Sequence, residues 1–355
     1  MFLELSFIFF SSFATLFVMR KVARYIGLVD KPNKRKLHIG AVPLVGGISI
    51  CIVLAQYLVF RPEALQHSWL YLGSIVLLTF VGALDDKFDI SFKIRIGIQG
   101  ALSLIVMDTA GVELTSLGNM FGFGHVTLGW AGSVVTILAV IGAVNAFNMV
   151  DGIDGLLGGL SIVTFGGLGY LMSVGGQEQI AYLCLVIIVA MVPYILMNLG
   201  LLGRKRKVFM GDAGSMMIGF TVIWLLLGVS QAESKPMMRP VTALWLIAVP
   251  LMDMAAIMIR RIRRGDSPFK PDREHLHHIF QRLGLSSGKT LIVICGFATL
   301  LAGFGIYGEI NQISEPLMFY SFIVCFLIYV TLLTNVWKIT SFVRSLACEN
   351  GTKRP

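Results

Sequence analysis

Residues Val76-Leu77-Leu78-Thr79-Phe80-Val81-Gly82-Ala83-Leu84-Asp85-Asp86-Lys87-Phe88-Asp89 run without a charge for nine positions and then meet two adjacent acids. The apolar part belongs to a run from about 69 to 84 that is long enough to cross most of a bilayer. Paired carboxylates at the edge of such a span are costly unless a cation holds them. This stretch therefore points both to a membrane protein and to a place where cations and acids meet.

The rest of the chain agrees with the membrane reading. Of its 355 residues 56% are hydrophobic and 14% charged, with mean hydropathy +0.80. A soluble domain carries about a quarter charged residues. Eleven apolar runs are candidate spans, at about 2–19, 41–60, 69–84, 94–109, 127–146, 156–174, 178–197, 209–229, 241–259, 290–308 and 316–337. The expectation is an all-α integral membrane protein of about 11 transmembrane helices, one polytopic domain over 1–355. The apolar N-terminus has no basic leader and no small-residue cleavage site, so it reads as a retained first span. Cys51, Cys184, Cys295, Cys325 and Cys348 are scattered without metal-ligand spacing and read as packing residues.

Basic residues set the expected orientation. Segments 20–40, 85–95, 147–155, 198–208, 260–289 and the tail after 337 hold 26 of the 29 Lys and Arg. The alternate segments hold only Arg61, Lys235 and Arg239. By the positive-inside rule the N-terminus faces the outer side and the C-terminus the cytoplasm. The net charge of +9 sits in short loops, so it reflects topology and not nucleic-acid binding. Acids sort differently. Seven of nine Glu fall on the outer side, whereas ten of eleven Asp lie at or near the inner side. Short carboxylates gathered on one face suit metal and phosphate chemistry.

The inner loops carry the candidates. In the first, Asp30-Lys-Pro-Asn-Lys-Arg-Lys36-Leu-His38 precedes Gly46-Gly47, where a basic loop entering a helix start would cradle phosphate. The second holds Asp85, Asp86 and Asp89, then Lys93, Arg95 and Gln99. An unpaired like-charge pair there demands a cation. The third, Asn148-Met-Val-Asp151-Gly-Ile-Asp154-Gly, lacks any base and has glycines that allow close backbone approach to a ligand. In the fourth, Phe209-Met-Gly-Asp212-Ala-Gly-Ser215 follows the bases Arg204 to Lys207. Asp212 suits either a helix cap or a ligand, and Phe209 either core packing or stacking on a base.

The fifth loop, 260–289, begins with Arg260, Arg261, Arg263 and Arg264. With Asp272 as N-cap, Leu276, Ile279, Phe280 and Leu283 would line one face of an interfacial amphipathic helix. It also carries His275, His277 and His278, which lack the company of Cys or a metalloprotease spacing and so suit donation to phosphate better than zinc binding. Gly284 to Thr290 mimics a phosphate-binding loop but is one residue short, with no strand before it.

These ordered motifs, from Asp30 to about Leu283, resemble those of the polyprenyl-phosphate N-acetylhexosamine-1-phosphate transferases. The resemblance implies a bacterial inner-membrane enzyme, multi-pass, with its active site on the cytoplasmic face. It is nearest to members that start O-antigen and enterobacterial common antigen synthesis. The implied reaction transfers GlcNAc-1-phosphate from UDP-GlcNAc to undecaprenyl phosphate, giving undecaprenyl-diphospho-GlcNAc and UMP, with Mg2+ or Mn2+ as cofactor. By the same resemblance Asp85, Asp86 and Asp212 are catalytic and metal-binding. Asn148, Asp151, Asp154 and Phe209 contact the nucleotide, with Phe209 against uracil. His275, His277 and His278 contact phosphate, while Lys36, His38, Lys93 and Arg260 supply further cationic contacts. Leu276 interrupts a His run that is continuous in the muramoyl-pentapeptide branch, and an eleventh span is extra there, so muramoyl-pentapeptide is disfavoured as substrate.

The partners expected are the two substrates and the lipid bilayer, with no nucleic acid. Homodimers are common among such enzymes, and the sequence carries no sign of one. Whether an Asp acts as base, metal ligand or nucleophile stays open at this stage, because a phosphate monoester with a second pKa of about 6 hardly needs a base. The alternatives are another UDP-N-acetylhexosamine as donor, or a secondary transporter with a proton relay.

Overall fold

The computed structural model describes residues 1–31, 40–232, 236–268 and 275–351, with side chains up to residue 335. Lys36, His38 and the expected cap Asp272 lie outside the described residues. Thirteen α-helices are described: α1 (Phe2–Ile26), α2 (Gly46–Phe60), α3 (Ser68–Phe88), α4 (Phe92–Ala110), α5 (Ala131–Val150), α6 (Leu156–Val174), α7 (Glu178–Asn198), α8 (Gly211–Ser230), α9 (Pro240–Leu246), α10 (Ala248–Arg263), α11 (Leu276–Arg282), α12 (Ser287–Ile310) and α13 (Glu315–Gly351). Two short antiparallel pairs join loops: β1 (Val29–Asp30) with β2 (Val42–Pro43), and β3 (Ser116–Gly118) with β4 (Val126–Thr127).

Each of the eleven expected runs overlaps a helix, and the chain is a multi-pass membrane protein. Eight helices are long and apolar enough to cross a bilayer among the described residues, or nine if a bent pair counts as one span. The bent pair corrects the ninth expected run. Instead of one helix over 241–259, α9 and α10 meet at Ile247 with a bend of 81°. Pro250 gives the reason. It has no N–H to return to the Leu246 carbonyl, which accepts from Thr164 Oγ1 instead.

Helix α8 is the centre. Every residue from Ala213 to Leu227 is buried, as expected of a helix apolar on all sides. Helices α2, α3 and α5 pack directly on it. Small residues permit this closeness. A side chain at Gly47 would run into the backbone of Gly214, and one at Gly82 into that of Ala213. The second contact matters for function, since it holds the acidic end of α3 against the first turn of α8. At the periphery Phe7, Phe10, Ile292, Leu300, Leu317 and Val324 are exposed apolar side chains, the surface a bilayer solvates.

Two further expectations are corrected here. Gly46 and Gly47 do not form an open phosphate cradle. Both are buried, and their N–H groups donate to Phe209 O at 2.9 Å and Met210 O at 3.1 Å. The fifth loop is shorter than 260–289, because α10 continues to Arg263 and α12 begins at Ser287. Its helix α11 has seven residues and His275 as N-cap. Ile279 is buried, and Leu276, Phe280 and Leu283 pack against the protein core, so this face meets protein and not the membrane interface. The P-loop mimic is the entry to α12, where the Ser286 hydroxyl caps by accepting from Lys289 N.

Candidate active site

The close contact at Gly82 brings Asp85 and Asp86, on the last turn of α3, to the start of α8. Asp86 spends both carboxylate oxygens there. Oδ1 accepts from Asp212 N at 2.9 Å and Oδ2 from Ala213 N at 3.3 Å. A carboxylate suits this position because the first N–H groups of a helix have no partner within it and carry partial positive charge. Gly211 makes the approach possible. Its φ is +74, and a Cβ there would strike the Asp86 carboxylate.

Asp85 and Asp212 share a guanidinium. Arg95, on α4, lies 2.5 Å from Asp85 Oδ2 and 3.6 Å from Asp212 Oδ2. It is the cation that the adjacent acids demanded, although the sequence reading noted it without choosing it as a site residue. Asp212 is also held from α5, where Asn148 Nδ2 donates to Asp212 Oδ1 at 2.6 Å and to Ser215 Oγ at 2.9 Å. The two acids differ in access. The Asp212 side chain is 35% exposed and that of Asp85 only 4%, so Asp212 is the one an incoming ligand reaches.

The third loop closes over this point. Asp151 follows α5 directly, and its carboxyl is pushed up to about 7, first by burial among protein atoms and then by Asp212 and Asp154. Asp154 is paired with Lys207 at 2.6 Å. The same Lys207 ammonium lies 5.2 Å from the centre of the Phe209 ring. The Phe209 backbone is fixed to the first loop, its N–H donating to Pro43 O at 2.9 Å. Asn198, buried at the end of α7, ties the third and fourth loops together. Its Oδ1 accepts from Gly155 N at 2.6 Å and its Nδ2 donates to Val208 O at 2.9 Å.

The histidines arrive from α11. His277 is buried, and its Nε2 has no hydrogen-bond partner among the described residues. That atom faces Gly152, where a side chain would collide with the ring. Burial first, then His278 and His275, lower the His277 pKa to about 3, so this imidazole is neutral at ordinary pH. His275 and His277 stack at 5.6 Å with rings 7° apart, and His277 lies 4.2 Å from His278. His275 is bound on its other side to buried Asp253.

Asp85, Asp86, Asn148 and Asp212 thus meet at one place, with Asp151, Asp154 and Phe209 around it and His277 against Gly152. Lys93 is exposed on α4, and Arg260 lies in the last turn of α10; neither enters the hydrogen bonds described above. Residues missed by sequence reasoning are Arg95, Lys207 and Ser215, and Asn198 was set aside because the basic insertion before Phe209 obscures its match to a family Asn. Arg95 and Lys207 were visible only as inner-loop bases, and Ser215 only as part of the Asp212 motif.

Residues 68–230 match glycosyl transferase family 4. The chain is 52% identical over 342 residues to an undecaprenyl-phosphate alpha-N-acetylglucosaminyl 1-phosphate transferase of Yersinia pestis, covering 96% of this chain and 93% of that one. It is 48% identical over 339 residues to the protein of the same name from Haemophilus influenzae, covering 95% of each. The Escherichia coli K12 protein of that name is 48% identical over 335 residues, covering 94% of this chain and 91% of its own.

Proposed function

The chain belongs to glycosyl transferase family 4, and on that premise we propose that it transfers N-acetylglucosamine 1-phosphate from UDP-GlcNAc to undecaprenyl phosphate. The products are undecaprenyl-diphospho-GlcNAc and UMP. The observation that carries the reading is the convergence of Asp85, Asp86, Asn148 and Asp212 from three separated segments onto the first turn of α8. Near-half identity over nearly the whole length of the named relatives supports the choice of substrates.

In this reaction an oxygen of the lipid phosphate attacks the phosphorus attached to the sugar. The bond from that phosphorus to the bridging oxygen breaks, and UMP leaves with the bonding electrons. Catalysis of this kind is mainly positioning and charge neutralisation. A phosphate monoester with its second pKa near about 6 is already largely dianionic at neutral pH, so no side chain must remove a proton first.

Magnesium, with manganese as the alternative, suits the hard-oxygen donors. Among the described residues there is no ready-made cluster of three or more His, Cys, Asp or Glu that would enclose a metal. The acids fit a smaller share, which is what magnesium needs when substrate phosphates supply other ligands. Asp212, the accessible acid, is the residue that would hold it, and Asp85 would join it on exchanging its contact with Arg95 for the ion. Asp86 fits as the cap of α8, its oxygens being engaged by backbone N–H groups. When bound, the ion supplies charge neutralisation at the diphosphate oxygens.

The remaining residues orient. Asn148 fixes the Asp212 carboxylate, and Lys207 holds Asp154 beside Phe209, which would stack on uracil. His275, His277 and His278 bring ring N–H groups towards phosphate, His277 as a neutral donor or acceptor. The finer topology follows from charge. Eleven passages, a periplasmic N-terminus, a cytoplasmic C-terminus and an inner-membrane site facing the cytoplasm place 26 of 29 basic residues inside.

The experiment is competition in detergent between labelled UDP-GlcNAc and UDP-GalNAc, with undecaprenyl phosphate as acceptor. The proposal expects magnesium-dependent UMP release with UDP-GlcNAc preferred. Preference for UDP-GalNAc would reassign the donor, and no release from either would reject the reaction.

A further inference from the structure

Asp253 is a buried carboxylate, 2% exposed, on α10 outside the acidic cluster described above. All its visible partners come from other elements. His275 Nδ1 lies 2.8 Å from Oδ2. Oδ1 accepts the Leu276 N–H at 3.1 Å and the Tyr329 hydroxyl at 2.7 Å. Tyr329 is itself buried on α13, the last helix of the chain.

Each contact has a consequence. An ionised carboxylate only accepts, so His275 Nδ1 carries a proton and its Nε2 points away from Asp253. The Leu276 N–H opens α11, so Asp253 also caps that helix from outside. A helix of seven residues does not hold its own shape in isolation, and α11 owes its place to such tertiary contacts. His275 in turn stacks on His277, whose Nε2 faces Gly152 in the acidic loop. A continuous path therefore runs from the C-terminal helix to the candidate site: Tyr329, Asp253, His275, His277, Gly152.

We propose that Asp253 and Tyr329 are positioning residues for this transferase: Asp253 sets the tautomer of His275 and the start of α11, and Tyr329 fixes Asp253. The last membrane helix is then part of the support of the active site. The inference rests on the transferase reading and adds residues to it. It requires no group transfer of its own, since the three side chains exchange only hydrogen bonds.

The test is a double-mutant cycle of Tyr329→Phe and His275→Gln, measuring UMP release in detergent with UDP-GlcNAc and undecaprenyl phosphate. Tyr329→Phe removes only the hydroxyl. Loss of a hydrogen bond to a charged group predicts a kcat lower by about tenfold or more, with the KM for UDP-GlcNAc little changed. In the His275→Gln background the same change should cost less than about twofold, because the residue through which it acts is gone. An equal loss in both backgrounds, or none in the parent, overturns the proposal. If Tyr329→Phe lowers thermal stability, hydrogen exchange of the Leu276–Arg282 amides decides. Faster exchange there than in α2 supports positioning, and a uniform rise contradicts it. Failure of the unmodified protein to release UMP would instead strike the transferase reading.

Discussion

Asn148 donates its side-chain amide to Asp212 Oδ1 at 2.6 Å, so α5 orients the carboxylate at the head of α8. The bond leaves the other Asp212 oxygen facing Arg95 at 3.6 Å. Supporting groups of this kind are worth about 10–100-fold in metal affinity or activity. Asn148→Ala is expected to reduce kcat/KM by that amount and to raise the magnesium concentration needed for half-maximal rate. A magnesium titration of the variant and parent checks it. An unchanged midpoint would detach Asn148 from the metal.

Asp85 and Asp86 are neighbours in sequence with different partners, so their amide variants should differ. Asp86→Asn weakens the cap of α8 and is expected to lower stability by about 1 kcal/mol as well as activity. Asp85→Asn leaves the helix caps intact but breaks the buried pair with Arg95, so it too should cost stability, without exposing the first turn of α8. Hydrogen exchange of the Asp212 and Ala213 amides beside UMP release separates the two. Unchanged exchange of those amides in Asp86→Asn would mean that Asp86 has no special capping role.

His277 gives a pH dependence of stability. Its folded pKa, about 3, lies below the ordinary value of 6.5. Below 6.5 the unfolded chain takes up a proton that the buried ring refuses. Stability is therefore full above about 6.5 and is lost as the pH falls towards about 3, at about 1.4 kcal/mol per pH unit for one such group. Comparing unfolding at pH 7.5 and 5.5 should show a smaller acid-induced loss in His277→Gln than in the parent. Parallel losses would show that His277 is not buried neutral.

Much of this was legible in the sequence, and the reasons are particular. Each of the eleven apolar runs overlaps helix because a bilayer demands internally satisfied backbone, although only eight or nine helices among the described residues are long and apolar enough to cross one, and periodicity could not show that Pro250 would free the Leu246 carbonyl and bend the ninth. The adjacent Asp85 and Asp86 announced a missing cation, but Arg95 is ten residues from Asp85 and looked like a topological anchor. Gly46 and Gly47 looked available to phosphate only because Phe209 O and Met210 O, their partners, lie more than 160 residues away. Asn198 has a counterpart in the family resemblance but was set aside because the basic insertion before Phe209 obscures the match. Its two bonds join loops that no local pattern connects. Asp253 lies at a span end just before the Arg260 to Arg264 run, but Tyr329, which holds it, is one tyrosine in an apolar helix.

The central claim is that Asp212, reached from α3, α4 and α5, is the carboxylate at which the metal and the diphosphate meet. The most direct measurement is magnesium-dependent UMP release from UDP-GlcNAc by Asp212→Asn, with undecaprenyl phosphate present and folding checked by thermal unfolding. The account predicts a folded protein with turnover abolished at every magnesium concentration. Near-normal release by the folded variant would contradict it.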